Sequence, residues 1–119
     1  MINKQEVHSS DKWNSVIRDL PGVSFLQTWE WGEVKAAFGW TSTHLLWLDE
    51  TEKVIAAAMI LMKEISLPFI PIKLKTLYIP QGPLIDWANK SLRKKVLTDI
   101  SAYAKDVRAI SIKMAPEVI

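Results

Sequence analysis

Lys35 follows Trp31 by four residues in the stretch WGEVK and lies beside Gly32, whose missing side chain leaves room for a ligand to approach that flank of a helix. Trp29, two residues before Trp31, can stack on a base, a sugar or a peptide, or pack beneath a neighbouring loop. Tyr78, in YIPQGP, either presents its hydroxyl where a strand ends or fills the core with its ring. Gln81 and Gly82 line the same exit, with Pro83 fixing the turn, and Asp86 in GPLIDW reads by itself as a turn aspartate bonded to its own backbone. The chain has no cysteine, which excludes a thiolate nucleophile, a disulfide framework and sulfur-ligated zinc. His8 and His44 are too far apart to suggest a ligand pair, so no metal site is expected. What remains is chemistry by ammonium, carboxylate, hydroxyl and ring.

The elements that must position these groups follow from caps and periodicity. Ser10 or Asp11 can cap a short helix to Leu20, stopped by Pro21-Gly22, with Trp13, Ile17 and Leu20 inward. Thr28 can cap a second helix of about three turns, with Glu30 and Glu33 early and Gly39 at its end. Trp31, Val34 and Phe38 recur there at i, i+3 and i+7, which predicts the buried stripe and leaves Trp29 on nearly the opposite face. Residues 40–48 alternate as a strand, residues 49–52 turn, and KVIAAAMILMK is apolar on both parities, so a strand covered on both sides is expected to pair with the first. LPFIPIKLK holds two prolines and reads as a loop; TLYIP is a short third strand. Asn89 or Ser91 caps a helix over 91–107 with Leu92, Val96, Ile100, Tyr103 and Val107 inward, and AISIKM closes the chain as a strand.

The resulting order, α-α-β-β-β-α-β, predicts one mixed α+β (α/β) domain in which the last β-α-β unit forms a parallel pair. An acyltransferase fold of the Gcn5-related N-acetyltransferase (GNAT) type has this order, here incomplete. At 119 residues the chain buries one core, and a net charge of +2 is too small to argue for a duplex nucleic acid partner. The basic turn around Lys90, Arg93, Lys94 and Lys95 can meet tRNA, anionic lipid or only water. The longest apolar run, residues 54–62, is far short of the ~20 residues a spanning helix needs, and the N-terminal stretch lacks the apolar core of a secretory signal. A cytoplasmic chain is therefore expected.

Three segments, FLQTWEWGEVKAAFGW, YIPQGPLIDW and SIKMAPEV, together resemble the N-terminal part of the Fem family of peptidoglycan interpeptide-bridge aminoacyltransferases. The resemblance runs from about residue 24 to 118. It implies two tandem GNAT-like domains in the whole protein, of which residues 1–119 would be a fragment of the first, inactive alone and completed by a second domain or a partner chain. It also implies transfer of an amino acid from aminoacyl-tRNA to the stem-peptide amine of lipid II or its UDP-linked precursor, at the inner face of the plasma membrane, with no cofactor beyond the aminoacyl-tRNA co-substrate. Attack by such an amine requires a base, because a free lysine side chain has a pKa of ~10.4. Asp86 matches the acidic residue that the family places near the acceptor. Lys35 matches a family lysine that contacts the acceptor's phosphates, and an ammonium point charge suits phosphate. Two rivals stand beside this: a coenzyme A-dependent GNAT acetyltransferase, disfavoured by the single glycine and the prolines of PQGPLIDWANKS, and a non-catalytic binding or assembly module.

Overall fold

The computed structural model describes residues 2–20, 27–69, 71 and 73–116, without the side chains of the last two residues and of Gln81. A five-stranded sheet runs in the order β1-β2-β3-β4-β5, with β1 Asn3–Glu6, β2 Thr41–Leu48, β3 Val54–Ser66, β4 Lys73–Gln81 and β5 Ala109–Pro116. Its first three pairings are antiparallel and the last, β4 with β5, is parallel. Helices α1 (Ser10–Ile17) and α2 (Trp29–Ala36) precede β2, and α3 (Lys90–Asp106) makes the crossover between the parallel strands. The expected mixed α+β class and parallel pair are therefore present.

The element order differs from the expected one at its start. Asn3–Glu6 is a strand whose four residues are all exposed, so it carries no apolar alternation for a sequence reading to detect. Its pairing along β2, extended by the Val7 amide donating to the His44 carbonyl (2.8 Å), makes it a strand. The strands around the proline segment are also longer than TLYIP and KVIAAAMILMK suggest: β3 continues to Ser66 and β4 begins at Lys73. Pro68 and Pro71 fall between them, and Pro80 sits where β4 has left the β3 ladder after Tyr78, so its missing N–H interrupts no pairing with β3.

Both faces of the sheet are covered. Leu45, Trp47, Ala56, Ala58, Ile60, Leu77 and Ile79 meet the Leu92, Val96, Ile100 and Ala104 stripe of α3, a spacing of four that keeps one helix face inward. The opposite parities, Leu46, Ala57, Met59 and Leu61, meet Trp13 and Ile17 of α1 with Trp29 and Trp31 of α2. The central strands are consequently apolar at successive positions. Asn89 caps α3 by accepting from the Leu92 amide (3.1 Å), and Thr28 caps α2 in the same way; α1 is capped by Ser9, one residue before the expected Ser10 or Asp11, which both lie inside the helix. The Pro21-Gly22 stop lies outside the described residues.

The inward face of α2 is not the expected stripe. Val34 and Phe38 are 46% and 69% exposed, whereas Trp29 packs into the core. Gly32 decides this: a Cβ there would come within 3.2 Å of the Met59 sulfur and 3.4 Å of Ser42, so the helix backbone lies directly on the sheet at that point. Docking through Gly32 turns Trp29 and Trp31 towards the sheet and leaves Val34 and Phe38 outside.

Candidate functional site

Lys35 occupies the last turn of α2, half-buried, with Nζ 5.2 Å from the centre of the Trp31 ring. Its carbonyl accepts from the amides of Phe38 (2.9 Å) and Trp40 (3.2 Å), which fixes the joint between α2 and β2. Gly39 makes the joint possible by adopting φ +91°, a left-handed conformation that side-chain-bearing residues rarely adopt. Across this joint the Trp40 ring faces Tyr78 at 6.4 Å. Tyr78 is half-buried on β4, its ring under Lys113 Nζ at 5.8 Å, and Lys63 Nζ lies 5.5 Å from the Trp40 ring.

Trp29 stands further along the same face, at the start of α2. Its ring stacks on His44 at 4.2 Å and 17°, while its Nε1 donates to Glu33 (3.1 Å) and its amide to the Asn14 side chain (3.0 Å). His44 is almost fully buried, with Trp13 edge-on to its other side at 4.8 Å. Burial, followed by repulsion from His8, pushes the His44 pKa down to about 4, so the ring is neutral at physiological pH. One face of the Trp29 ring is thus taken by the protein itself.

Asp86 is exposed in the connection from β4 to α3. Its Oδ1 accepts from the Ala88 amide (3.0 Å) and its carbonyl from the Asn89 amide (3.0 Å), the turn-aspartate arrangement. The residues before it anchor the connection: Leu84 bridges Ala57 on the α1/α2 side and Ile85 enters the α3 core. Gln81 is the last residue of β4, and its backbone alone is described.

The joint that follows Lys35 and the connection that holds Asp86 meet β3 at different levels. The end of α2 leads into the level of β3 where Thr41 pairs with Met62, whereas Leu84, two residues before Asp86, bridges Ala57. Five residues of strand separate those levels, roughly 17 Å at about 3.3 Å per residue. Among the described cavities none is lined by both residues. Trp40 and Tyr78 do converge across the joint that follows Lys35, and Lys63 and Lys113 join them. Sequence reading had no hold on those two lysines as partners; only strand parity, with Lys63 two residues from the buried Leu61, points them towards the α1/α2 face.

A second tie runs beneath the site. Gln27, almost fully buried, donates from Nε2 to the Pro80 carbonyl (2.9 Å) and accepts at its own carbonyl from Trp13 Nε1 (2.6 Å). The entry to α2 is thereby fixed to the exit of β4.

Comparison with known proteins places this architecture. A lipid II:glycine glycyltransferase of Staphylococcus saprophyticus is 29% identical over 105 residues, which is 88% of this chain and 24% of that protein. A lipid II:glycine glycyltransferase of Staphylococcus epidermidis is 26% identical over 110 residues, 92% of this chain and 25% of its own length. The chain thus spans about a quarter of the length of the curated relatives it matches. Among solved structures, FemX superimposes with a TM-score of 0.79 at 26% identity, over 98% of this chain and 27% of that one. A GNAT family acetyltransferase of Staphylococcus aureus shares the fold, with a TM-score of 0.61 at 18% identity over 98% of this chain and 87% of that one. Residues 10–119 match the model of the FemAB family, and the chain belongs to that family.

Proposed function

We propose that this chain is the acceptor-binding part of an aminoacyltransferase that moves an amino acid from aminoacyl-tRNA to the stem-peptide amine of a peptidoglycan precursor. The observation that carries the reading is the family match over residues 10–119, supported by relatives named for glycyl transfer to lipid II. In this reading Lys35 contacts the phosphates of the acceptor, Tyr78 and Gln81 border its path along β4, and Asp86 takes the proton from the attacking amine. Trp29 acts from below, holding α2 on His44, with only its outer face open to a ligand.

In this reading the acceptor spans the two levels of β3 at which the segments carrying Lys35 and Asp86 meet the sheet. Its amine lies at the third stem residue, separated from the phosphates by a sugar, two residues and a lysine-like side chain. Each extended residue spans ~3.5 Å, so a separation of roughly 17 Å along the sheet is within reach of that linkage. The reading requires the end of α2 and the β4–α3 connection to border one crevice along which the substrate bridges the two groups. Asp86 keeps Oδ1 on the Ala88 amide, which leaves Oδ2 to receive the proton while the turn holds the carboxylate in place. Positioning donor ester and acceptor amine together supplies most of the rate in such a reaction. That share requires a donor-binding surface as well, met by a further domain or a partner chain acting at the inner face of the membrane.

Titration of UDP-linked muropeptide into the 119-residue chain tests the reading. Saturable binding is expected, weakened about five- to tenfold by Lys35→Gln, the loss of one charge-assisted contact. Equal affinity of the two proteins, or no binding at all, would reject it.

A further inference from the structure

The β3–β4 hairpin reaches beyond the rest of the sheet. β2 pairs with β3 only as far as Thr41 opposite Met62, and β5 joins β4 at Lys75, so residues 65–66 and 73–74 form a two-stranded ribbon with no third strand. From Met62 to Ser66 the ribbon runs four residues past the end of β2, roughly 13 Å. Ile65, Leu67 and Phe69 are all exposed, and neither core takes a side chain from them. Their apolar surface therefore does nothing for the described fold, and exposed apolar surface of this kind marks a contact.

Strand alternation sorts the ribbon into two faces. Ile65 and Leu74 pair with each other and share the parity of Leu61 and Tyr78, whereas Glu64, Ser66, Lys73 and Lys75 take the other face. At the tip Phe69 is fully exposed at φ +75°, a left-handed conformation that glycine or asparagine adopts readily and a bulky residue does not. The fold alone gives no reason for an aromatic ring there. Between Glu64 and Lys73 the sequence holds no charge. The flanking Lys63, Lys73 and Lys75, set against Glu64, carry +2, which is the net charge of the whole chain, so the rest of the molecule is neutral in sum. Glu64 meets Lys73 and Lys75 at 3.9 Å each, long and solvent-screened pairs that leave both ammoniums open to a further anion.

We infer that this hairpin docks on an anionic bilayer, with Leu67 and Phe69 entering the boundary between headgroups and acyl chains and Lys73 and Lys75 resting on the lipid phosphates. Apolar side chains gain by leaving water at that depth, and each lysine keeps its ammonium at the negatively charged surface while its stem lies along the apolar layer. The narrow, convex tip fits a bilayer better than a folded partner. A stable protein interface buries about 800 Å² on each side, more than the end of a two-stranded ribbon presents, whereas a membrane takes a projecting tip without complementary shape. The inference goes beyond the acceptor reading and needs no precursor to be bound.

Sedimentation of the 119-residue chain with phosphatidylcholine vesicles, with and without phosphatidylglycerol, tests it. Binding to the anionic vesicles is expected, and binding at least about tenfold weaker to the neutral ones. Leu67→Ser and Phe69→Asn, the latter suited to the turn, should each weaken binding about five- to tenfold, and Lys73→Gln with Lys75→Gln together about 20-fold. Circular dichroism and the urea midpoint should stay unchanged in all of them, because every substituted side chain lies outside both cores. Phe69→Trp should add an emission that shifts to the blue on binding and is quenched by lipids brominated on their acyl chains. Equal binding to the two kinds of vesicle, or none, would overturn the inference. So would binding that needs the lysines while Leu67→Ser and Phe69→Asn leave it unchanged, since nothing then enters the bilayer. If the chain ignores vesicles but self-associates in light scattering, and Phe69→Asn makes it monomeric, the tip is a protein contact and the inference falls. The vesicles contain no peptidoglycan precursor, so failure here leaves the muropeptide titration and the acceptor reading untouched.

Discussion

His44 shows how much a single buried ring can set. It lies between the Trp29 and Trp13 indoles, 3% exposed, with Nε2 lacking a hydrogen-bond partner. Charging it would place a cation in an apolar layer, which is why its pKa falls to about 4 from an unfolded value of 6.5. Between those two values the unfolded chain binds a proton that the folded chain refuses. Stability is therefore full above about pH 6.5, declines as pH falls through that window and levels off below about pH 4. The whole loss is on the order of 3 kcal/mol. Urea unfolding at pH 7.5, 5.5 and 4.5 should show this decline in the native chain and a much flatter one in His44→Phe, which keeps a planar ring and removes the titration. Parallel declines in the two proteins would mean that another group is responsible. The sequence located His44 on a strand face, but it held no sign that two tryptophans from different helices would close over it.

At the scale of the element, α2 carries the lysine to its place, and Gly32 within it and Gly39 just after it do most of the setting. Gly39 holds φ +91°, so Gly39→Ala should destabilise the chain by about 1 kcal/mol and disturb the turn that carries Lys35 towards Trp40. Denaturant midpoints would measure the loss, and an unchanged midpoint would show that the joint relaxes without strain. Gly32 acts by close approach instead, which is why the helix docks through its thinnest side. The caps Thr28 and Asn89 were legible because capping is local, made between residues three apart, whereas α1 is capped by Ser9 and not by the expected Ser10 or Asp11. The face α2 buries was not legible, because apolar residues lie all around it and periodicity alone cannot choose among them. The α3 stripe was readable for the converse reason, with lysines opposite Leu92, Val96 and Ile100.

At the scale of the whole molecule, the sheet joins distant segments into one face and leaves apolar side chains outside it. Val34, Phe38, Ile110 and Met114 are at least 39% exposed in this chain. Phe38→Gln should therefore change stability by less than about 0.5 kcal/mol while raising solubility, measured by urea unfolding and by the concentration at which light scattering begins to rise. A loss of several kcal/mol would show that Phe38 is packed after all. The sequence by itself determined the helices, the antiparallel pairing of β2 with β3, the parallel return of β5 and the family, since each rests on local caps, turns or ordered motifs. Tertiary structure alone decided that polar Asn3–Glu6 is a strand, that Trp29 faces inward and that Lys63 and Lys113 lie over the neighbouring Trp40 and Tyr78 rings. Those outcomes depend on strand register and on how closely a helix can approach a sheet. Both are set by contacts between residues far apart in the chain, which no local pattern encodes.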